Sequence, residues 1–153
     1  MRNAIKMVGL LSALALSACG GDKGEDLGQF IGTWQPISGM TTEVCQGYTY
    51  TSGLSNLTWN MGISSDLLQN GGTCPIMADA NGATATGVPG QSCSLSDGTG
   101  TTGTVNLAGY TFVVSPDGHT ATENASGSIT YFGGGASLPC TFNETGSYQK
   151  IGR

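Results

Sequence analysis

The sequence predicts an all-β domain: a small antiparallel barrel or a sandwich of about eight to ten short strands, held by two disulfides. Three observations carry this reading. Apolar and polar residues alternate along much of residues 29–153, as at Tyr110, Phe112 and Val114, the pattern of strands with one buried face. Turn chemistry interrupts the runs at short intervals: Asn81-Gly82, Pro89-Gly90, Asp97-Gly98 and Pro116-Asp117-Gly118. Cys45, Cys74, Cys93 and Cys140 are spread through the runs in an even number, as in a disulfide framework. Abundant glycine (26 residues) and a low charged fraction (10%) would also suit disorder. Two Trp, five Tyr and four Phe distributed along the chain argue for a fold, because disordered tracts are poor in aromatics.

A first strand is expected over residues 30–35, stopped by Pro36, which cannot donate to a ladder. Residues 41–51 and 54–63 supply the second and third strands. Residues 65–71 read as one helical turn, with Ser64 or Ser65 as N-cap and Gly71 beyond the end. The clearest hairpin pairs residues 74–79 with 83–87 around Asn81-Gly82. Residues 91–96, 101–107, 110–115, 120–131 and 137–150 complete the set in near-continuous meander. Such an order favours closure, which removes exposed sheet edges. One apolar face per strand describes a water-soluble barrel; a membrane pore needs an apolar exterior with aromatic girdles.

The first residues have a different physical job. Arg2 and Lys6 precede an uncharged apolar run over residues 7–16, about ten residues where a membrane span needs about twenty. This is a signal-peptide core and not a permanent span. Leu16-Ser17-Ala18-Cys19 resembles the lipobox of bacterial lipoproteins. The resemblance implies cleavage before Cys19, a diacylglyceryl group on its thiol and a further acyl chain such as palmitate on the new amino group, together enough for stable membrane anchoring. Gly20 in place of Asp, by the same family's sorting rule, implies the outer membrane of the cell envelope. The expected organisation is therefore signal peptide 1–18, lipidated flexible tether 19–28 and β-domain 29–153. Once cut, the chain keeps Lys23, Lys150 and Arg153 against all ten acidic residues, a net of −7. That surface lacks the basic footprint of a nucleic-acid binder.

The four downstream cysteines allow three connectivities. Closing the shorter loop first favours Cys45–Cys74 and Cys93–Cys140. A zinc site lacks a Cys-x-x-Cys pair and has only His119 to help; no metal or cofactor is expected.

Gly32-Thr33-Trp34 resembles the Gly-x-Trp of lipocalin-like and other calycin barrels. The resemblance implies a tryptophan that closes one barrel end under a basic residue of the last strand, here Lys150 or Arg153. More widely, Gly32-Thr33-Trp34, Cys45, Ser65-Asp66-Leu67, Cys74, Pro89-Gly90-Gln91-Ser92-Cys93 and Pro139-Cys140-Thr141-Phe142 look like a recurrent Gly/Thr-rich secreted family common in myxobacteria. That likeness carries location and fold, and no activity.

Catalytic motifs are not found. His119 follows Pro116-Asp117-Gly118 and reads as a turn residue. Asp79-Ala80-Asn81-Gly82 opens like a calcium loop but lacks its twelfth-position glutamate. Glu123 and Glu144 fall on strands that are candidates for neighbours, and read as residues of exposed faces. The sequence favours a non-enzymatic barrel that binds a small apolar ligand or lipid, with Trp34, Tyr48, Tyr50, Trp59 and Phe112 as candidate lining residues. The alternative is a structural or interaction lipoprotein whose outer face meets envelope protein or polysaccharide. A cavity favours the first and a filled interior the second.

Overall fold

The computed structural model describes residues 27–62, 67–72, 74–96, 98 and 100–153. The signal peptide, Cys19 and most of the tether lie outside the described residues. Among the described residues there are ten strands: β1 (Gly32–Cys45), β2 (Tyr48–Ser52), β3 (Leu57–Met61), β4 (Leu67–Asn70), β5 (Ile76–Asn81), β6 (Thr84–Gly87), β7 (Ser92–Ser96), β8 (Thr102–Val114), β9 (Thr120–Gly133) and β10 (Ala136–Gly152). Eight of them close an antiparallel barrel in the order β1-β3-β4-β5-β6-β8-β9-β10, with β10 pairing back onto β1. Of barrel and sandwich, the chain adopts the barrel.

The wall is uneven. β1, β8, β9 and β10 run 13 to 17 residues, whereas β3 to β6 run only 4 to 6. At the closed end β1 pairs with β3 through residues 32–34, and higher up with β2 through residues 41–45. β8 does the same on the other flank, meeting β6 through residues 111–113 and β7 through residues 102–106. The upper half is thus a tall six-stranded sheet, β2-β1-β10-β9-β8-β7, standing over a low wall of four short strands.

The core fills the closed end. Phe30, Trp34, Trp59, Phe112 and Tyr148 are fully buried, and their rings meet at centroid distances of 5.2 to 6.3 Å, the range of favourable aromatic pairs. Trp34 Nε1 donates to the Phe30 carbonyl at 2.8 Å. Lys150, directly opposite Trp34 across β1 and β10, places Nζ 5.2 Å from the Trp34 ring and donates to the Gln29 carbonyl at 2.8 Å. The alternation of Tyr110, Phe112 and Val114 is realised with all three buried.

Several expectations are corrected. The disulfides are Cys45–Cys140 and Cys74–Cys93, with separations of 95 and 19 residues, and not the expected Cys45–Cys74 and Cys93–Cys140 pairs; the Cys74–Cys93 loop is shorter than either of the loops expected. Closure of the barrel sets Cys45 directly opposite Cys140 in the β1–β10 register, so sheet pairing joins the two cysteines farthest apart in the chain and leaves Cys74 and Cys93 to close the shortest loop. Pro36 does not end the first strand. It sits beside a register shift between Pro36 and Ser38, and β3 pairs no further than Trp34, so a missing donor is tolerated there. Residues 41–51 are not one strand: Gln46 and Gly47 both take positive φ (50° and 86°), which reverses the chain between β1 and β2. The expected helical turn lies partly outside the described residues, and its described part, Leu67–Asn70, is strand β4 with Leu67 and Gln69 buried. Pairing on both sides with β3 and β5 outweighs a weak local helix signal. Residues 101–107 and 110–115 belong to one strand, β8, shifted in register between Leu107 and Gly109.

Candidate functional site

A recess opens where the tall sheet rises above the low wall. Directly opposed residues of an antiparallel pair project on the same side, so the register identifies its lining. One row across the tall sheet reads Tyr50, Glu43, Phe142, Gly127 and Leu107; the next reads Tyr48, Cys45, Cys140, Ile129, Val105 and Cys93. These rows form the concave face. Its lower part faces the short strands across a partly open cavity of about 50 Å³. The cavity has room for a few waters or one small polar group.

Gly127 shapes this lining. A Cβ there would stand 2.2 Å from the Asn106 carbonyl and 2.6 Å from the Phe142 ring; glycine alone lets Phe142 lie flat across β9 as part of the recess wall. Gln91, from the Pro-Gly-Gln-Ser-Cys stretch, holds the low wall: its Oε1 accepts from Met77 N at 2.7 Å and its Nε2 donates to the Met77 and Val88 carbonyls, both at 2.8 Å. The Cys74–Cys93 bridge then ties the loop before β5 to the edge strand β7.

The floor is acidic. Glu123 on β9 and Glu144 on β10 both point inward, with Glu43 on β1 above them. Only 2% of Glu123 is exposed, and its Oε2 accepts from the Tyr148 hydroxyl at 2.6 Å. Burial pushes its carboxyl up to about 7, against the opposing pull of the Tyr148 and Tyr110 hydroxyls and with a smaller upward contribution from Glu144. Thr41 donates to Glu144, and the Tyr131 hydroxyl to Glu43 at 2.9 Å; burial and then Glu43 push Tyr131 up to about 12. Gln69 is 1% exposed: its Nε2 donates to the Asn70 carbonyl at 3.1 Å, while its Oε1 makes no hydrogen bond. The Tyr110 hydroxyl faces Glu123 without a hydrogen bond of normal geometry.

The aromatic candidates separate into two groups. Trp34, Trp59 and Phe112 pack with one another in the closed end and do not line the recess. Tyr48 and Tyr50 project from β2 on the concave side, 69% and 57% exposed, as a rim above Glu43. Glu123 and Glu144, read in the sequence as exposed-face residues, are interior, because β9 and β10 turn that phase toward the barrel axis. The signal was present in their shared phase with Ala121, Ala125 and Phe142, but alanines are too small to mark a face. His119 is exposed in the turn between β8 and β9, where its backbone N–H donates to Asp117 Oδ1 at 2.9 Å. Cys45 and Cys140 approach Glu43 as the one metal-like grouping among the described residues, but their sulfurs are joined to each other.

Compared with protein-family models, curated proteins and solved structures, the chain matches none.

Proposed function

We propose that this protein is a lipid-anchored binding module of the bacterial cell envelope, a non-enzymatic, lipocalin-like barrel that takes a small, largely apolar ligand or lipid at its open end. The observation that carries the reading is the concave face of the tall sheet. Val105, Leu107, Ile129 and Phe142 form an apolar wall that continues into a recess, and two exposed tyrosines stand at its rim. Soluble domains seldom leave apolar concavities open without a partner. The filled half of the barrel is structural.

The first described residues support the anchored arrangement. Leu27 and Phe30 are buried at the closed end, and Gln29 Nε2 donates to the Gly82 carbonyl in the turn below β5. A tether from an acylated Cys19, in the outer membrane on this reading, joins the end opposite the recess and leaves the mouth accessible.

Both parts are testable on the full-length protein in its own host. Solvent extraction of the purified, lipidated protein followed by mass spectrometry is expected to release a small molecule that the Tyr48→Ser/Tyr50→Ser variant retains poorly. A recess that yields nothing, with a second polypeptide co-purifying instead, overturns the carrier reading in favour of an interaction protein. Cys19→Ser is expected to abolish acylation and release the protein from the membrane fraction; unchanged sedimentation of an uncut chain refutes the anchor.

A further inference from the structure

We propose that the recess selects organic cations: small amphiphiles whose protonated amine sits on the floor among Glu123, Glu144 and Gln69 Oε1, with the apolar portion lying along Ile129 and Phe142 toward Tyr48 and Tyr50. This rests on the binding-module reading and narrows its ligand to a chemical class.

Charge segregation is the first argument. Three carboxylates, Glu43, Glu123 and Glu144, line the recess. Among the described residues every basic side chain, His119, Lys150 and Arg153, lies together at the opposite, closed end. The floor thus carries buried and half-buried negative charge with no counter-charge among the described residues, an arrangement that is costly unless something positive enters. Each carboxylate accepts one hydroxyl hydrogen bond through Oε2, and a carboxylate has about four acceptor sites, so capacity remains for a donor.

Gln69 is the second, independent argument. Gln69 lines the same cavity; its amide nitrogen is held by the bond to Asn70, yet its buried Oε1 has no donor. A buried acceptor left unpaired costs free energy that a ligand N–H would recover. An ammonium group brings several donors and a positive charge at once, and the cavity of about 50 Å³ has room for one such group. A bare metal ion fits less well. Among the described residues the only three potential ligand atoms close enough to share an ion belong to Glu43, Cys45 and Cys140, and the two sulfurs are spent on their disulfide. The exposed tyrosine faces at the rim add cation–π and stacking surface.

A pH dependence follows with a definite sign. Glu123 faces Tyr110 from β8 and Tyr148 and Glu144 from β10, with Gln69 on β4 and Glu43 on β1 lining the same recess. Its raised carboxyl is partly protonated near neutrality. A cation favours the ionised form, so binding expels a proton and tightens as pH rises from about 5 to about 8.

The test uses the full lipidated protein in detergent and three matched probes: phenethylamine, 2-phenylethanol and 3-phenylpropionate, followed by saturation-transfer NMR. Phenethylamine is expected to bind at least about tenfold more tightly than 2-phenylethanol at pH 8, the size of one charge-assisted contact, with 3-phenylpropionate weakest. Glu144→Gln should erase most of that advantage, and Glu123→Gln should flatten the pH dependence. If 2-phenylethanol or 3-phenylpropionate binds as well as phenethylamine in the unmodified protein, cation selectivity is refuted while the recess remains a binding site. If none of the three binds, both readings fall.

Discussion

Replacing Glu123 by glutamine isolates the cost of holding a carboxylate inside the barrel. The side chain is 2% exposed and accepts from Tyr148 at 2.6 Å; glutamine keeps the size and an acceptor oxygen and removes only the charge. Folding raises the carboxyl from its ordinary 4.5 to about 7, chiefly by burial. Between those values the folded chain holds a proton that the unfolded chain has released. The corresponding stability is fully present below pH 4.5 and is lost as pH rises through about 7. A difference of that size is worth about 3 kcal/mol. Relative to the parent, Glu123→Gln should therefore gain about 3 kcal/mol between pH 4 and pH 8. The assay is urea unfolding of both proteins across that range with disulfides intact, where the gain corresponds to a midpoint difference of roughly 1–3 M at pH 8. Parallel pH profiles for the two proteins would refute the reasoning, because they would mean that the carboxylate ionises in the fold as easily as in water.

Three further outcomes follow from the packing. Removing Cys45–Cys140 by paired alanines should cost roughly 4–5 kcal/mol and removing Cys74–Cys93 about 3, since the longer loop loses more closure entropy; a larger loss at the shorter bridge in urea unfolding would contradict this. Gly127→Ala should cost about 1–3 kcal/mol or more, because its Cβ has no room beside Asn106 and Phe142; a thermal midpoint equal to the parent's would show that the Phe142 packing is wrong. Lys150→Met keeps the apolar stem but removes the charge over Trp34 and the bond to Gln29, and should cost roughly 1–2 kcal/mol with a red-shifted tryptophan emission; an unchanged spectrum and midpoint would deny the closing role of that contact.

Much of the fold was legible because alternation is a local property. Tyr110, Phe112 and Val114 announced a strand and its buried face, and Asn81 and Gly82 marked the β5–β6 reversal, which pairs Asn81 with Thr84. The basic residue expected over Trp34 is Lys150, its direct partner across the sheet. What misled were local cues that long-range pairing overrides. Pro36 reads as a stop when taken alone, but a register shift absorbs it. Leu67 and Gln69 fit one helical turn until neighbours on both sides make them a strand.

The site was far less legible, and the reason is geometric. Aromatic residues attract attention as lining, yet Trp34, Trp59 and Phe112 have the bulk that fills a barrel end, while the recess is shaped by smaller residues such as Gly127, Ala125 and Val105. By itself the sequence determined the strand class, the alternating faces and the supply of four cysteines, since each follows from neighbours a few positions apart. Only the tertiary structure decided which cysteines join, how unequal the two walls are, and that Glu123 and Glu144 look inward. Those depend on closing β10 onto β1, which brings together residues 95 apart in the chain and turns two strand faces into the inside of one recess.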